Sequence, residues 1–367
     1  MNQILQLVKI TWQTFLAMFT DPRYLLIMLL VFVLVHRQYA KIRQYEQGFF
    51  GLKRINPLVE TATALVYGLA GGFLATILFI VMGVSISDAG VAYLWLAAIL
   101  LMLIHPRFLC FAYAGSLVSL VTLLTGFPQI HIPTLMALVA VLHLVESALI
   151  YVNGYHHSSP MFFKHSSGKV VGGFALRKFW PMPTIALVGL AVASSALDWQ
   201  TVAMPDWWPI FQARTSIPEG HTLVNVLFPL IVALGYSDFA QTELPKTKAR
   251  WSAVLLFLYS LILLGLSLLA NHYQFLAILP VIFAPLGHEF VIQWGQRREQ
   301  NREPVFTGEG GVMVLEVYPD SPGEKMGLGA GDLITHVNGV AISNLGQLVH
   351  EISPWAIDPT FIVENQF

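Results

Sequence analysis

Over most of the chain apolar residues come in unbroken blocks separated by short polar stretches, and they do not alternate with polar positions. A helix needs about 20 largely apolar residues to cross about 30 Å of hydrocarbon. Blocks of that character cover 58–84, 91–104, 108–125, 132–151, 183–197, 223–237, 252–270 and 273–287, and each is predicted to be a membrane-spanning helix. Leu25 to Val35 adds another strong apolar run. Ile4 to Phe19 is different, because Gln3, Gln6, Lys9 and Gln13 recur at helical spacing; it either crosses or lies flat in the interface as an amphipathic helix. It lacks a small-residue cleavage site and does not read as a removable signal peptide. There are ten spans if this stretch crosses and nine if it lies flat.

Near residue 303 the pattern changes to that of a small water-soluble domain. Gly310 to Val317 is an apolar-rich strand, Tyr318 to Leu328 a Pro-initiated turn with a short helix ended by Gly327, and Gly331 to Gly339 a strand closing on an Asn-Gly turn. A helix follows over 344–355 with Leu345, Leu348, Val349 and Ile352 on one face, and Asp358 onward starts another strand. The fold class is therefore an α-helical polytopic membrane protein, with about 8–10 transmembrane helices over 1–296, followed by a small β/α domain over 303–367.

Composition agrees. Apolar residues make up 56% of the chain and charged residues 11%, with a mean hydropathy of +0.65; a soluble domain carries about 25% charge. The net charge of −1 excludes a nucleic-acid partner held by bulk electrostatics. The single cysteine, Cys110, excludes an internal disulfide and a Cys-rich zinc site.

The basic residues give the orientation. Arg37, Lys41, Arg43, Lys53 and Arg54, then Arg107, then Lys164, Lys169, Arg177 and Lys178, then Lys246, Lys248 and Arg250, then Arg297, Arg298 and Arg302 all fall on one side if each block crosses once. Only Arg23 and Arg214 fall on the other. The rich side is cytoplasmic, and the C-terminal domain lies there. The longest external loop, Asp198 to His221, holds Trp199, Trp207 and Trp208 beside Pro205 and Pro209, which reads as an interfacial anchor.

The soluble part resembles a bacterial PDZ domain. The residues that carry the resemblance are Val314, Val317, Pro319, Ser321, Pro322, Gly327, Leu328, Gly331, Asp332, Ile334, Val337, Asn338 and Gly339. PDZ domains bind an extended peptide, often a C-terminus, as an added strand beside a helix. The resemblance implies a groove helix over 344–355 with Leu345, Leu348, Val349 and Ile352 partly facing the peptide. It also implies a groove strand near Pro304 to Thr307, and a loop at Gly308 to Gly311 that, with Val312, turns backbone amides toward a carboxylate. Relative to a complete PDZ domain the last strand or two read as missing after Phe367, so the domain is either minimal or truncated there.

Catalytic spacings are missing. A zinc protease helix needs two His one turn apart with a Glu between, yet His288-Glu289 is followed at that offset by Ile292 and His350-Glu351 by Pro354. No recognisable spacing assembles a zinc site, and no cofactor or metal is expected. His143 and Glu146 share one helix face in the bilayer; a proton relay is one reading and a helix-packing hydrogen bond the other. Asp88, Asp198 and Asp238 fall near span ends. Gly68 and Gly72 suit close helix packing, inside the chain or in an oligomer. The loop 152–182 carries His156, His157 and His165 with nothing acidic or thiol near in sequence; it reads as a solvated loop with a short hairpin from Phe162 and Phe163 to Lys169–Phe174. No inverted repeat of broken helices argues for a transporter.

A polytopic body with one cytoplasmic PDZ domain and no catalytic set resembles the MinJ family of cell-division topological determinants. Asp21-Pro22-Arg23-Tyr24 before an apolar run and the stretch from Lys169 to Pro183 carry the resemblance most directly. It implies a non-enzymatic scaffold at septum and poles, bridging a DivIVA-like coiled-coil protein to a MinD-like ATPase that acts with MinC. The alternatives are a PDZ-bearing accessory subunit of a membrane protease, and a transporter or relay using His143 and Glu146.

Overall fold

The computed structural model describes residues 2–50, 55–166, 168–196, 201–211, 217–318, 320–352 and 358–365. Asp198, Trp199, Arg214, Pro319 and the end of the groove helix beyond Ile352 lie outside them.

Six of the eight apolar blocks, together with both N-terminal stretches, form helices. They are α1 (Asn2–Met18), α2 (Pro22–Phe50), α3 (Pro57–Met82), α4 (Val91–Ile104), α5 (Phe111–Thr125), α6 (Ile132–Asn153), α7 (Pro245–His272) and α8 (Ile278–Asn301). Of these, α2, α7 and α8 run well past the expected apolar runs into polar sequence. Helix ends follow local chemistry. Asn56 accepts a hydrogen bond from the Leu58 amide (3.0 Å), Pro57 opens α3, and Gly83 at φ 70 closes it in the left-handed region. Among the described residues five helices are long and apolar enough to cross a membrane. Burial separates their roles: 72% of the α6 apolar window is buried and only 11% of that of α2. So α6 is the central post, packed by α3, α5 and α7, while α2 turns its leucines outward.

The blocks at 183–197 and 223–237 are not helices, which corrects the count of nine or ten spans. They belong to an antiparallel hairpin of β2 (Val170–Ala193) and β3 (His221–Ala240), extended at its base by β1 (Ser159–Lys164). The hairpin expected from Phe162, Phe163 and Lys169–Phe174 is that base, with Phe162 opposite Gly172. A continuous apolar run reads the same in a buried strand as in a buried helix. Proline placement is what separates them here.

A strand edge facing apolar surroundings must have its backbone groups satisfied or removed. On the side of β2 away from β3, Pro181 and Pro183 carry no N–H at all. The Ile185 amide donates to Thr76 Oγ1 (2.9 Å) and the Gly189 amide to Ser87 Oγ (3.0 Å), while the Leu187 carbonyl accepts from the Ile86 amide (2.8 Å). The partner is α3, not a second helix. A Cβ on Gly68 would sit 2.0 Å from the Pro181 carbonyl oxygen, and one on Gly72 the same distance from that of Pro183. The G-x-x-x-G spacing thus serves close helix-to-strand packing inside the chain.

The C-terminal region holds β4 (Val312–Met313), α9 (Pro322–Lys325), β5 (Asp332–Val337), β6 (Val340–Ala341), α10 (Leu345–Glu351) and β7 (Phe361–Asn365). Central β5 pairs with β4, β6 and β7, all antiparallel. Ile334, Val337 and Ile342 form a small core against Val312, Val314, Leu328, Leu348, Phe361 and Val363.

This region is docked on the hairpin. Val305 donates its amide to the Gln241 carbonyl (3.0 Å), and Phe306 accepts at its carbonyl from Gly172 (2.9 Å). Phe306 is buried with its ring edge-on to Phe174 at 5.4 Å, and Met313 and Leu315 pack on the same large core. The Gln241–Glu243 turn is itself fixed by α8: Glu299 Oε2 accepts from the amides of Gln241 (2.9 Å) and Thr242 (3.0 Å), and Arg298 pairs with Glu243 at 3.0 Å.

Candidate functional site

The PDZ motif residues build turns. Ser321 caps α9 by accepting the Glu324 amide (3.2 Å), with Pro322 as first helical residue. Gly327 and Gly331 take φ of 82 and 95. Asp332 accepts the Gly329 amide at Oδ2 (2.7 Å) and the Asn365 amide group at Oδ1 (3.1 Å). Asn338 and Gly339, both at positive φ, make the two-residue connection between β5 and β6. The Asn338 side chain also accepts the Thr360 amide (3.0 Å), tying that turn to the approach of β7.

The groove residues divide by exposure. On α10 Leu345 is 63% and Val349 64% exposed, and Ile352 just beyond it is 38% exposed; Leu348 packs into the small core. Asn344 caps this helix by accepting the Gln347 amide (3.0 Å). On β4 Val312 pairs with Ile334 and packs into that core, and among the described residues β4 has no strand on its other edge. Gly310 takes φ 86, and a Cβ at Gly311 would meet the Ile334 carbonyl oxygen at 2.4 Å, so the turn into β4 requires glycine. Pro304–Thr307 is placed differently from its expected role. Val305 and Phe306 hydrogen-bond to the Gln241 turn and to β2, which occupies that backbone with the membrane-side hairpin. Beside it Lys169 Nζ pairs with Glu309 at 2.5 Å, and this ammonium holds the Glu309 carboxyl below its usual range.

Within the helical part the expected His143–Glu146 partnership gives way to another. His143 Nδ1 lies 2.8 Å from the Val139 carbonyl, and its Nε2 faces Cys110 Sγ at 3.2 Å. His288 Nε2 approaches the same sulfur at 3.6 Å. Among the described residues no hydrogen bond joins His143 to Glu146. Tyr113 donates to Glu289 Oε2 (2.8 Å), which also pairs with Arg107. The Tyr259 ring stands edge-on to both histidines at 5.5 and 5.7 Å while its hydroxyl donates to the Ala284 carbonyl (2.9 Å). Spacing rules missed this cluster because they look for ligands on one helix. Cys110 precedes α5, His143 is on α6 and His288 on α8, at sequence separations from Cys110 of 33 and 178. The His288-Glu289 pair was its one sequence signal.

His157, read as a solvated loop residue, pairs through Nδ1 with Glu60 of α3 at 2.5 Å, and Lys178 of β2 reaches the other oxygen at 3.5 Å. The acidic partner absent from the loop comes from a distant helix. Trp208 anchors by donating Nε1–H to the Ile80 carbonyl (2.7 Å), whereas Trp207 is exposed.

The PDZ domain family matches residues 313–353. Over 323 residues the chain is 25% identical to the cell division topological determinant MinJ of Bacillus subtilis (strain 168), covering 81% of this chain and 77% of that protein. No solved structure matches the chain significantly. The chain is thus similar to MinJ over most of its length: among the described residues a helical part with five helices long and apolar enough to cross a membrane is followed by a β-rich part that contains a PDZ domain.

Proposed function

We propose that this chain is a non-enzymatic membrane scaffold for division-site placement, which bridges a DivIVA-like coiled-coil protein to a MinD-like ATPase and uses its PDZ domain to hold a partner peptide. The observation that carries the reading is a PDZ domain with apolar helix residues turned to solvent, on a polytopic body similar to MinJ over most of its length. The peptide, a protein C-terminus or an internal segment, would add along the open edge of β4. Leu345, Val349 and Ile352 would contact its side chains, Leu348 and Val312 would support the groove from the core, and Gly310 and Gly311 would offer backbone N–H groups. A scaffold gains partner concentration on one membrane face from several weak contacts held together.

The reading places the chain in the cell membrane as a multi-pass protein with a cytoplasmic C-terminus, enriched at septum and poles. Two facts support that sidedness. Two antiparallel strands in place of two helices keep the out-and-back path, and β2 runs beside α3 from its first half to beyond its end. So the basic segments stay grouped as the charge bias requires.

A fluorescent fusion of the full chain in dividing cells of its host tests the reading. Septal and polar enrichment is expected, together with capture of division proteins by the membrane extract. A uniform membrane signal overturns it, and capture of a membrane protease in their place favours an accessory subunit.

A further inference from the structure

Cys110, His143 and His288 bring the three best soft and borderline ligand atoms a protein has to one point. Their Sγ and imidazole nitrogens all lie within 4.8 Å of one another, with His143 buried and the other two partly so. Sulfur-to-nitrogen distances are 3.2 and 3.6 Å. Bonds of about 2.3 Å to sulfur and about 2.0–2.1 Å to nitrogen in a tetrahedral zinc site set S···N edges of about 3.5 Å. Both sulfur-to-nitrogen edges therefore bracket that length, and the two nitrogens lie within 4.8 Å of each other.

The protons point the same way. A carbonyl only accepts, so His143 donates Nδ1–H to Val139 and keeps the lone pair of Nε2 on the cysteine side. Metal-bound histidines are commonly held by such a bond to the distal nitrogen. Tyr113 gives its proton to Glu289, so its oxygen is free to accept from His288 Nδ1 at 3.5 Å, and this leaves the second Nε2 lone pair also facing the sulfur. Two lone pairs and a sulfur then share at most one thiol proton. A cation in the middle resolves that deficit, and a metal does so with all three ligands at once.

We propose that Cys110, His143 and His288 bind a single thiophilic d10 cation, zinc(II), which clamps the start of α5 to α6 and α8. Three protein ligands leave a fourth position for water or another donor. The clamp joins segments far apart in sequence without a disulfide. It is independent of the scaffold reading, since a scaffold needs no metal and the site is remote in sequence from the PDZ domain.

The full chain, purified in detergent with a histidine-free tag and no chelator, supplies the test. Elemental analysis should find close to one zinc per chain. Exchange with cobalt(II) should give a thiolate-to-cobalt charge-transfer band and the visible bands of a tetrahedral site. Cys110→Ser should remove the charge-transfer band, and Cys110→Ser and His288→Asn should each cut bound zinc at least tenfold, while His165→Ala should leave it unchanged. Should these variants misfold, the wild-type cobalt spectrum decides alone. Zinc well below stoichiometric with no charge-transfer band on cobalt addition overturns the proposal, as does zinc that survives both substitutions in folded protein.

Discussion

The Gly172 backbone N–H donates to the Phe306 carbonyl at 2.9 Å, joining the base of the long hairpin to the segment that leads into the PDZ domain. Val305 bonds Gln241 just where β3 ends, so residues 305–306 continue beside β2 the place that β3 vacates. Met313 and Leu315 meet the large core while Val312 and Val314 turn to the small one. Strand β4 is thus a shared wall, and the PDZ domain is held by its entry strand.

That wall depends on Phe306. Its ring is buried against Phe174, and truncating a buried phenylalanine costs about 3–5 kcal/mol. Phe306→Ala should release the PDZ domain from the hairpin while leaving α3–α8 folded. Limited proteolysis should then cut near 303–311 faster than in the wild type, with the remaining membrane part still protected. Equal cleavage rates would show that docking does not rest on this ring.

Gly68 and Gly72 carry the helix-to-strand contact. Methyl groups there would meet carbonyl oxygens at 2.0 Å, and backbone on both sides leaves little room to give. Gly68→Ala and Gly72→Ala should each destabilise the detergent-solubilised chain by about 1–3 kcal/mol, an overpacking cost. A methyl added at Gly265 of α7 would meet nothing within 4 Å, so Gly265→Ala should be neutral or stabilise by up to about 1 kcal/mol. Thermal unfolding of the three variants separates the cases.

The contrast shows which parts of this fold hydropathy can reveal. The end of α5 and the start of α6 follow from where apolar residues stop and from Gly126 and Pro133, which are local signals. The β2–β3 hairpin was hidden because Ile185 to Val192 is as apolar as any span. What distinguished it was Pro181, Pro183 and Pro229 at positions where a helix would lose backbone bonds and a strand edge does not need them. The PDZ turns were legible because positive-φ residues such as Asn338 and Gly339 advertise themselves. Meetings such as Cys110 with His143 and His288, or His157 with Glu60, depend on tertiary packing between separate elements, and no spacing within one element encodes them.

The contact between Lys169 and Glu309 makes the docking weakly pH-dependent. Lys169 depresses the Glu309 carboxyl pKa from its ordinary 4.5, so the folded state releases that proton more readily than the unfolded one. The contribution is fully present above 4.5 and is lost as pH falls through the depressed value. Both side chains are exposed and salt screens them. Hydrogen exchange over 303–311 should therefore be slower, after correction for intrinsic rates, at about pH 7 than at about pH 3.5, and the difference should shrink in high salt and vanish in Lys169→Ala. An undiminished difference in that variant would assign the effect to another group.

The groove offers the sharpest separation of binding from stability. Val349 is exposed on α10, whereas Leu348 beside it fills the small core with Ile334 and Val337. Val349→Lys should leave unfolding of the PDZ part within about 0.5 kcal/mol of wild type, as surface substitutions usually do. It should nevertheless abolish capture of partner proteins, because a charge replaces an apolar contact on the helix proposed to face the peptide. Leu348→Ala should do the reverse first, lowering stability by about 2–5 kcal/mol and losing capture only as the domain unfolds. Chemical denaturation read alongside pulldown at several temperatures checks both. Full partner capture by Val349→Lys would mean that α10 lines no groove, and the interaction surface would then have to lie on another face of the chain.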